Sequence, residues 1–600
     1  MADGGTTDRG DKYGAESITW DLTDLYRSPD DPAIEADLDR ADSLAGDLSK
    51  RYRGEQERLA AGDMADLLEA YESIIDLSGR VGTYSYLLWS TNSEDPARGA
   101  LLQRATERSS RLHQRLLFVE LQWAALPEDR AQMLLDAEEL AHYRHWLEVT
   151  RLYKPYLLSE AEERILSEKG VTGRGAWVRF FGEVHGSFRY DWEGERIPQA
   201  SMLNKLYDRH RSVRRKAAAS FTAGLRDMLR TNTYIFNTLL ADKASSDRLR
   251  SYPGWISARN LENQVDDCTV QALVEAVTSR YDIVARYYGL KRRLLGLDEL
   301  LDYDRYAPLP AGVSRHPWDE ARESVLSAYH HLHPRAESIA RRFFDERWID
   351  AAVAPGKRGG AYSHGAVPSV HPYIFLNYEG TSRDMMTLAH EMGHGIHQML
   401  SREQGILQAD TPLTTAETAS VFGEMLLFQD LLTREDDPQA RLAMLAGKIE
   451  DSFATVFRQI AMNRFEDAIH GERRSRGELT SERFSDLWMD TQRAMFGESV
   501  TLTEDYRHWW SYIPHFIGTP GYVYAYAFGE LLVLALFDRY REMGDAFSPL
   551  YLDLLSAGGS RWPHELVEPF GVDLRDPGFW SRGLELLDDL VGQAEELAGT

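Results

Sequence analysis

With one cysteine in 600 residues, Cys268, the chain has no intramolecular disulfide and no zinc site built on several thiolates. Any metal must then be held by histidines and carboxylates. Long hydrophobic runs are missing as well. The longest candidate, Leu531 to Phe537, falls far short of the roughly 18 apolar residues a membrane span requires, so no membrane association is expected. The first residues, Met1-Ala-Asp-Gly-Gly-Thr-Thr-Asp8, lack the basic stretch and apolar segment of a secretory signal, and a cytoplasmic protein is expected. Lysine is scarce, 10 of the 68 basic residues, and 95 acidic residues bring the net charge to -27. That charge opposes the attraction that drives phosphate-backbone binding, which argues against nucleic acid as a partner. What remains is ordinary core-forming material, 43% hydrophobic, in a chain too long for one core. Two or three regions, arranged as lobes around a cleft, are expected.

The periodicity is helical almost throughout. Stretches 34–60, 63–90, 96–125 and 128–150 carry apolar residues at three-to-four spacing with charges between them, and 200–243, 267–296 and 318–345 continue the pattern. The exceptions are short. Gly186 to Ile197 alternates around a Glu193-Gly194 turn and predicts a small hairpin. Tyr303 to Pro317 carries three prolines, and the glycine-rich Ala354 to Gly365 leads into a strand over Tyr373 to Tyr378. The glycine-rich stretch lacks the Gly-Lys-Thr/Ser ending and the strand-loop-helix context of a phosphate cradle. The reading is a mainly α protein with a small sheet. A disordered terminus over 1–15 precedes an N-terminal helical lobe over 16–200 and a catalytic helical region over 201–600.

The segment that carries chemistry is His390-Glu391-Met392-Gly393-His394. Histidines four apart project from one face of a helix and can offer two imidazole nitrogens to one ion, the geometry zinc favours. Glu391, beside the first histidine, can take the proton of the attacking water without being a ligand. The flanking Met385, Leu388, Ala389, Met392 and Ile396 make this an apolar helix, in which buried histidines and a glutamate need a partner. A third protein ligand is required. Position 397 is His rather than Gly and 400 is Leu, so the extended H-E-x-x-H-x-x-G-x-x-H pattern is absent. Among the downstream acids, Glu417 and Glu424 lie seven apart on a second apolar helix. Glu417 is favoured as ligand and Glu424 as acceptor for the outward N–H of a ligand histidine. Thr414-x-x-Glu417 also fits a capping box, which needs no metal. His397 reads as a buried structural or supporting histidine.

These residues resemble the oligoendopeptidase F branch of the thimet-oligopeptidase-like metallopeptidases. Gly356 to Ser363, Phe375 to Tyr378, His390 to His397 and Ala416 to Ser420 follow that family's order, and Trp20 to Tyr26 matches near the start, so the likeness spans nearly the whole chain. The resemblance implies Glu417 as the third ligand of one zinc ion per chain. It also implies a two-lobed helical fold with a deep channel, and an endopeptidase acting on short unstructured oligopeptides. It further implies that His515, Tyr522 and Tyr526 donate hydrogen bonds to the tetrahedral intermediate, a sensible use of neutral donors. Tyr522 and Tyr526, four apart, would share a helical face, while Tyr524 reads as core. Ile517-Gly-Thr-Pro-Gly521 departs from the aromatic-rich segment usual there. The rival readings are a zinc carboxypeptidase or dipeptidase on a similar scaffold, and a peptide-binding protein without activity.

Overall fold

The computed structural model describes residues 13–309 and 315–599. Helices dominate, joined by short connections, with one two-stranded and one three-stranded sheet among the described residues. Of the terminus expected to be disordered, residues 1–12 lie outside the described part. The remainder is folded: the Tyr13 carbonyl accepts from the Trp318 amide at 2.7 Å and Ala15 is buried.

Several helix starts follow from two adjacent residues. Asp31-Pro32, Asp95-Pro96, Asp437-Pro438 and Asp576-Pro577 each begin a helix, with the aspartate side chain accepting an amide of the first turn. Proline there supplies a helical φ at a position whose N–H has no intrahelical acceptor.

The chain divides into two compact units that interleave in sequence. The first comprises Met1–Lys154, Val313–Arg434 and Arg539–Gly571; the second comprises Pro155–Gly312, Glu435–Asp538 and Val572–Thr600. Each takes chain from both sides of residue 200, so the compact units are not the contiguous regions 16–200 and 201–600.

In the first unit, helices Pro32–Tyr52, Ala61–Thr91 and Pro96–Leu116 bury Leu67, Leu68, Ile74 and Trp123, whose indole donates to the Leu147 carbonyl at 2.8 Å. The three-stranded sheet has the order Ile349–Asp350, Tyr373–Phe375, Tyr362–His364. The first pair is parallel, with Ile349 opposite Ile374, and the second antiparallel, with Ser363 opposite Ile374. Its glycine-rich loop is pinned by Lys357. That ammonium is buried against Asp350 at 2.5 Å and donates to the Ala352 and Leu376 carbonyls, an internal use that leaves it nothing for a phosphate.

In the second unit the 39-residue helix Arg211–Leu249 runs through a core of Phe221, Phe236, Phe484, Trp509, Trp510 and Phe516. The hairpin expected between 186 and 197 is present as Tyr190–Trp192 against Glu195–Ile197. Its turn places Glu193 and Gly194 at φ 53° and 90°, as the two-residue hairpin turns require. Gly224 lets the hairpin close on the long helix, because a Cβ there would lie 2.5 Å from the Tyr190 ring.

Candidate metal centre

The helix Ser382–Ser401 starts from a capping box, in which Thr381 accepts from the Asp384 amide and Asp384 accepts from the Thr381 amide. Against it packs the helix Thr418–Arg434. Two glycines set how closely. A Cβ on Gly393 would lie 2.3 Å from the Ala419 carbonyl oxygen, and one on Gly423 would overlap the Tyr329 hydroxyl. That hydroxyl donates to the Ala389 carbonyl at 2.8 Å, fixing the turn before His390.

The close approach brings Glu417, at the end of the short turn Leu413–Ala416, onto both histidines. Its Oε2 lies 3.4 Å from His390 Nε2 and 3.4 Å from His394 Nε2. One ligand atom from each residue lies within 4.8 Å of the others. Ser420 donates to the same carboxylate at 2.6 Å, and His390 Nδ1 faces Glu424 Oε2 at 3.4 Å. The Glu417 side chain therefore serves the histidines and Ser420, and the helical turn that precedes it is entered from Pro412 with no side-chain cap.

The electrostatics suit a cation. Burial opposes a charge on His390, yet its hydrogen bond to Glu424 and the nearby Glu417 and Glu391 prevail and raise its pKa to about 9. Burial would raise the Glu417 pKa, but the hydrogen bond to His394 and the charges of both histidines hold it at about 2. Two imidazole nitrogens and one carboxylate oxygen, backed by a second carboxylate, are the donor set of a catalytic zinc site with a position left for water. A divalent metal fits these residues.

Glu391 is only 6% exposed, and burial pushes its pKa above the usual carboxylate value, against the opposing charges of His390 and His394. The nearby Ser363 backbone, on the edge strand, draws that pKa down in part. Glu391, the three metal-binding candidates, Tyr362 and Ser363 line a cavity of about 540 Å³. His397 also reaches this cavity, with a buried Nε2 that has no hydrogen-bond partner among the described residues and a pKa lowered to about 3, first by burial and then by His394.

The strand expected to pair with an extended peptide, at 373–378, forms only over Tyr373–Phe375 and is the middle of three, with both sides taken. The outer strand facing the cavity is Tyr362–His364, which periodicity did not single out because it is three residues long.

His515, Tyr522 and Tyr526 gather in the second unit. His515 Nε2 lies 3.2 Å from the Tyr526 hydroxyl, and the two tyrosine rings are 5.0 Å apart. One expectation is corrected: Tyr522 is not helical, since the helix starts at Tyr524. The glycine- and proline-rich stretch forms the single turn His515–Gly518 and then a loop in which Gly521 takes φ 75°. Tyr524 is buried and accepts from Asn263 at 2.8 Å, as core. Sequence reasoning missed the residue that anchors this loop. Glu466, from the helix Phe457–Arg476, is fully buried and accepts the Gly521 amide at 2.9 Å, and burial raises its pKa to about 8.

The sequence model described as peptidase family M3 matches residues 205–586, well over half of the chain, and one described as oligopeptidase F matches residues 122–190. The chain belongs to peptidase family M3. It is 28% identical to the oligopeptidase PepF of Bacillus subtilis over 96% of this chain and 87% of that protein. A crystal structure from Chlamydophila abortus superposes with a TM-score of 0.83 at 25% identity, covering 96% of this chain and 98% of that one. Oligoendopeptidase-F from Enterococcus faecium gives 0.69 at 22% identity, covering 94% and 97%, and shares the fold. The motif-based resemblance and the mainly α architecture therefore hold, and this M3 chain is a metallopeptidase. No helix among the described residues is long and apolar enough to cross a membrane.

Proposed function

We propose that this M3 peptidase is a zinc-dependent endopeptidase cutting internal bonds of short, unstructured oligopeptides, with one ion per chain held by His390, His394 and Glu417. The observation that carries the reading is the convergence of those three donors around Glu417 Oε2, with the buried Glu391 carboxylate beside them in the same cavity. When bound, the metal polarises the scissile carbonyl and makes water acidic enough to attack near neutral pH.

The chain's own residues do the rest. Glu391 receives the proton of the attacking water and returns it to the leaving amine, and its burial brings its pKa toward the working range of a general base. Glu424 accepts the Nδ1–H of His390, so that Nε2 faces the ion. His515, Tyr522 and Tyr526 supply neutral N–H and O–H donors to the oxyanion, where a fixed donor acts on charge that exists only in the transition state. The outer edge of Tyr362–His364 offers main-chain groups to an extended peptide, which accounts for tolerance of many side chains. A cavity of about 540 Å³ holds a few residues of flexible chain and no folded domain. The exposed lone thiol of Cys268 accords with a reducing cytoplasm.

A quenched fluorescent peptide blocked at both ends tests this reading. Internal cleavage that is lost with a chelator and restored by zinc supports it. Cleavage only of peptides with a free C-terminus assigns a carboxypeptidase instead, and zinc-loaded protein that binds but does not cleave assigns a binding protein.

A further inference from the structure

The cavity of the metal-binding candidates has a part that the proposed chemistry does not use. Its lining also includes His397, Gln398, Ser401, Asp410 and Thr411, and a smaller cavity of about 40 Å³ shares Gln398, Ser401 and Asp410 with it. All of these residues belong to the first unit. Of the three carboxylates in the lining of the larger cavity, Glu391 and Glu417 already have roles. Asp410 has none.

The loop that carries Asp410 is held from several sides, all within the same unit. Gln408 is buried; its side chain donates to the His142 carbonyl at 2.6 Å and accepts the Trp146 amide at 3.2 Å, while its own carbonyl accepts the Gly559 amide at 2.8 Å. The Leu407 amide donates to Glu72 at 3.3 Å. Gly558 and Gly559 let their turn press on the loop, since a Cβ on Gly559 would lie 2.2 Å from the Asp410 carbonyl oxygen and one on Gly558 2.8 Å from that of Ala409. The backbone at Asp410 is thus fixed without use of its side chain.

That side chain has no partner. Among the described residues the Asp410 carboxylate accepts no hydrogen bond and has no cation within ion-pair distance. Arg402, the one cation lining the smaller cavity, is turned to the Pro368 carbonyl, to which it donates at 3.1 and 2.5 Å. Water reaches Asp410 through the cavity, and the protein around it still raises its pKa above the ordinary aspartate value by burial. A carboxylate on a fixed backbone in a concave, partly desolvated site attracts a cation more strongly than one on an open surface, because the effective dielectric is lower and less freedom is lost on binding. An ammonium satisfies it with one hydrogen bond, and a guanidinium with two in parallel.

We propose that Asp410 is a specificity-determining residue that binds a cationic group of the peptide substrate inside the catalytic cavity. The inference rests on the endopeptidase reading for the identity of the ligand. The cation can come from an Arg or Lys side chain or from the substrate's N-terminus.

The test uses peptides of one sequence with Arg, citrulline or Glu at a single position, scanned along both sides of the scissile bond, and with a free or acetylated N-terminus. Citrulline keeps the shape of arginine and removes its charge. For the parent protein KM should be about tenfold to a hundredfold lower for Arg than for citrulline at one position. A gain of that size that follows the free N-terminus assigns the cation to the terminal ammonium. In Asp410→Asn the charged and neutral peptides should converge in KM, with zinc content and melting temperature near those of the parent. Asp410→Lys should move the preference to Glu at the same position, which separates recognition of charge from a general loss of structure. Fluorescently labelled versions titrated into zinc-loaded Glu391→Gln, with and without Asp410→Asn, read binding apart from turnover. A preference for the cation in that binding, lost with Asp410→Asn but without cleavage by the parent, supports the pocket and sinks the endopeptidase reading. Equal KM and equal binding for charged and neutral peptides at every position, or a preference that survives in Asp410→Asn, overturns the pocket.

Discussion

The metal centre and the His515 segment are two ways of building a site, and they differ in how far each depends on the rest of the chain. Three of the four groups at the metal centre sit on one helix at fixed spacing, and glycines at 393 and 423 let a second helix bring Glu417 against them. The His515 segment has no such frame. His515 lies on a single turn, Tyr522 on a loop and Tyr526 in a long helix, and a buried carboxylate on yet another helix holds the loop. A site on one helix inherits its precision from 3.6-residue geometry, whereas a site on a loop borrows it from packing.

Removing metal ligands separates the two regions most sharply. His394→Ala and Glu417→Ala should each lose zinc on dialysis, and with it nearly all activity, because two protein ligands remain of three. Metal analysis beside a rate assay checks this. Zinc retained as tightly as in the parent by Glu417→Ala would return Glu417 to a structural role. Glu391→Gln should keep the ion and the melting temperature while turnover falls by about a hundredfold to ten thousandfold, since only proton transfer is lost. Zinc lost along with activity would show that Glu391 supports the metal.

The loop-borne group should respond more mildly. Tyr522→Phe keeps the ring and removes one donor, so kcat should drop by about a hundredfold to a thousandfold with KM, zinc content and melting temperature near those of the parent. An unchanged kcat removes Tyr522 from the catalytic group.

The smallest effect concerns the anchor. Because burial raises the folded pKa of Glu466 to about 8, the folded state holds its proton more tightly than the unfolded chain. Stability tied to that proton is complete below the ordinary glutamate pKa and is lost as pH rises toward and through about 8. Glu466→Gln, which still accepts the Gly521 amide, should therefore melt close to the parent near about pH 5 and several degrees above it near about pH 9. Equal melting curves at both would mean that Glu466 is ionised without penalty.

How much of this was legible follows the same division. His390, Glu391 and His394 stand out because a local repeat on an apolar helix is visible in any window of five residues. The hairpin at 190–197 was legible from alternation around Glu193-Gly194. The strand at 373–375 was seen, but not that it would be the sheet's centre, because which strand is left open depends on partners at 349 and 362. Helical spacing put Tyr522 and Tyr526 on one face. The Gly521 φ of 75° instead ends any helix there, and the two rings meet by tertiary packing.

The sequence by itself determined the helical architecture, the candidate metal-binding pair with the acid beside it, and the absence of a site built on several thiolates, since each rests on residue type and on spacing along one element. Only the tertiary structure decided that Glu417 turns its carboxylate to the histidines rather than into a cap, and that Glu466 holds the loop of Tyr522. Those facts depend on distances between elements far apart in the chain. Such distances are set by the summed packing of many side chains, which no local pattern encodes.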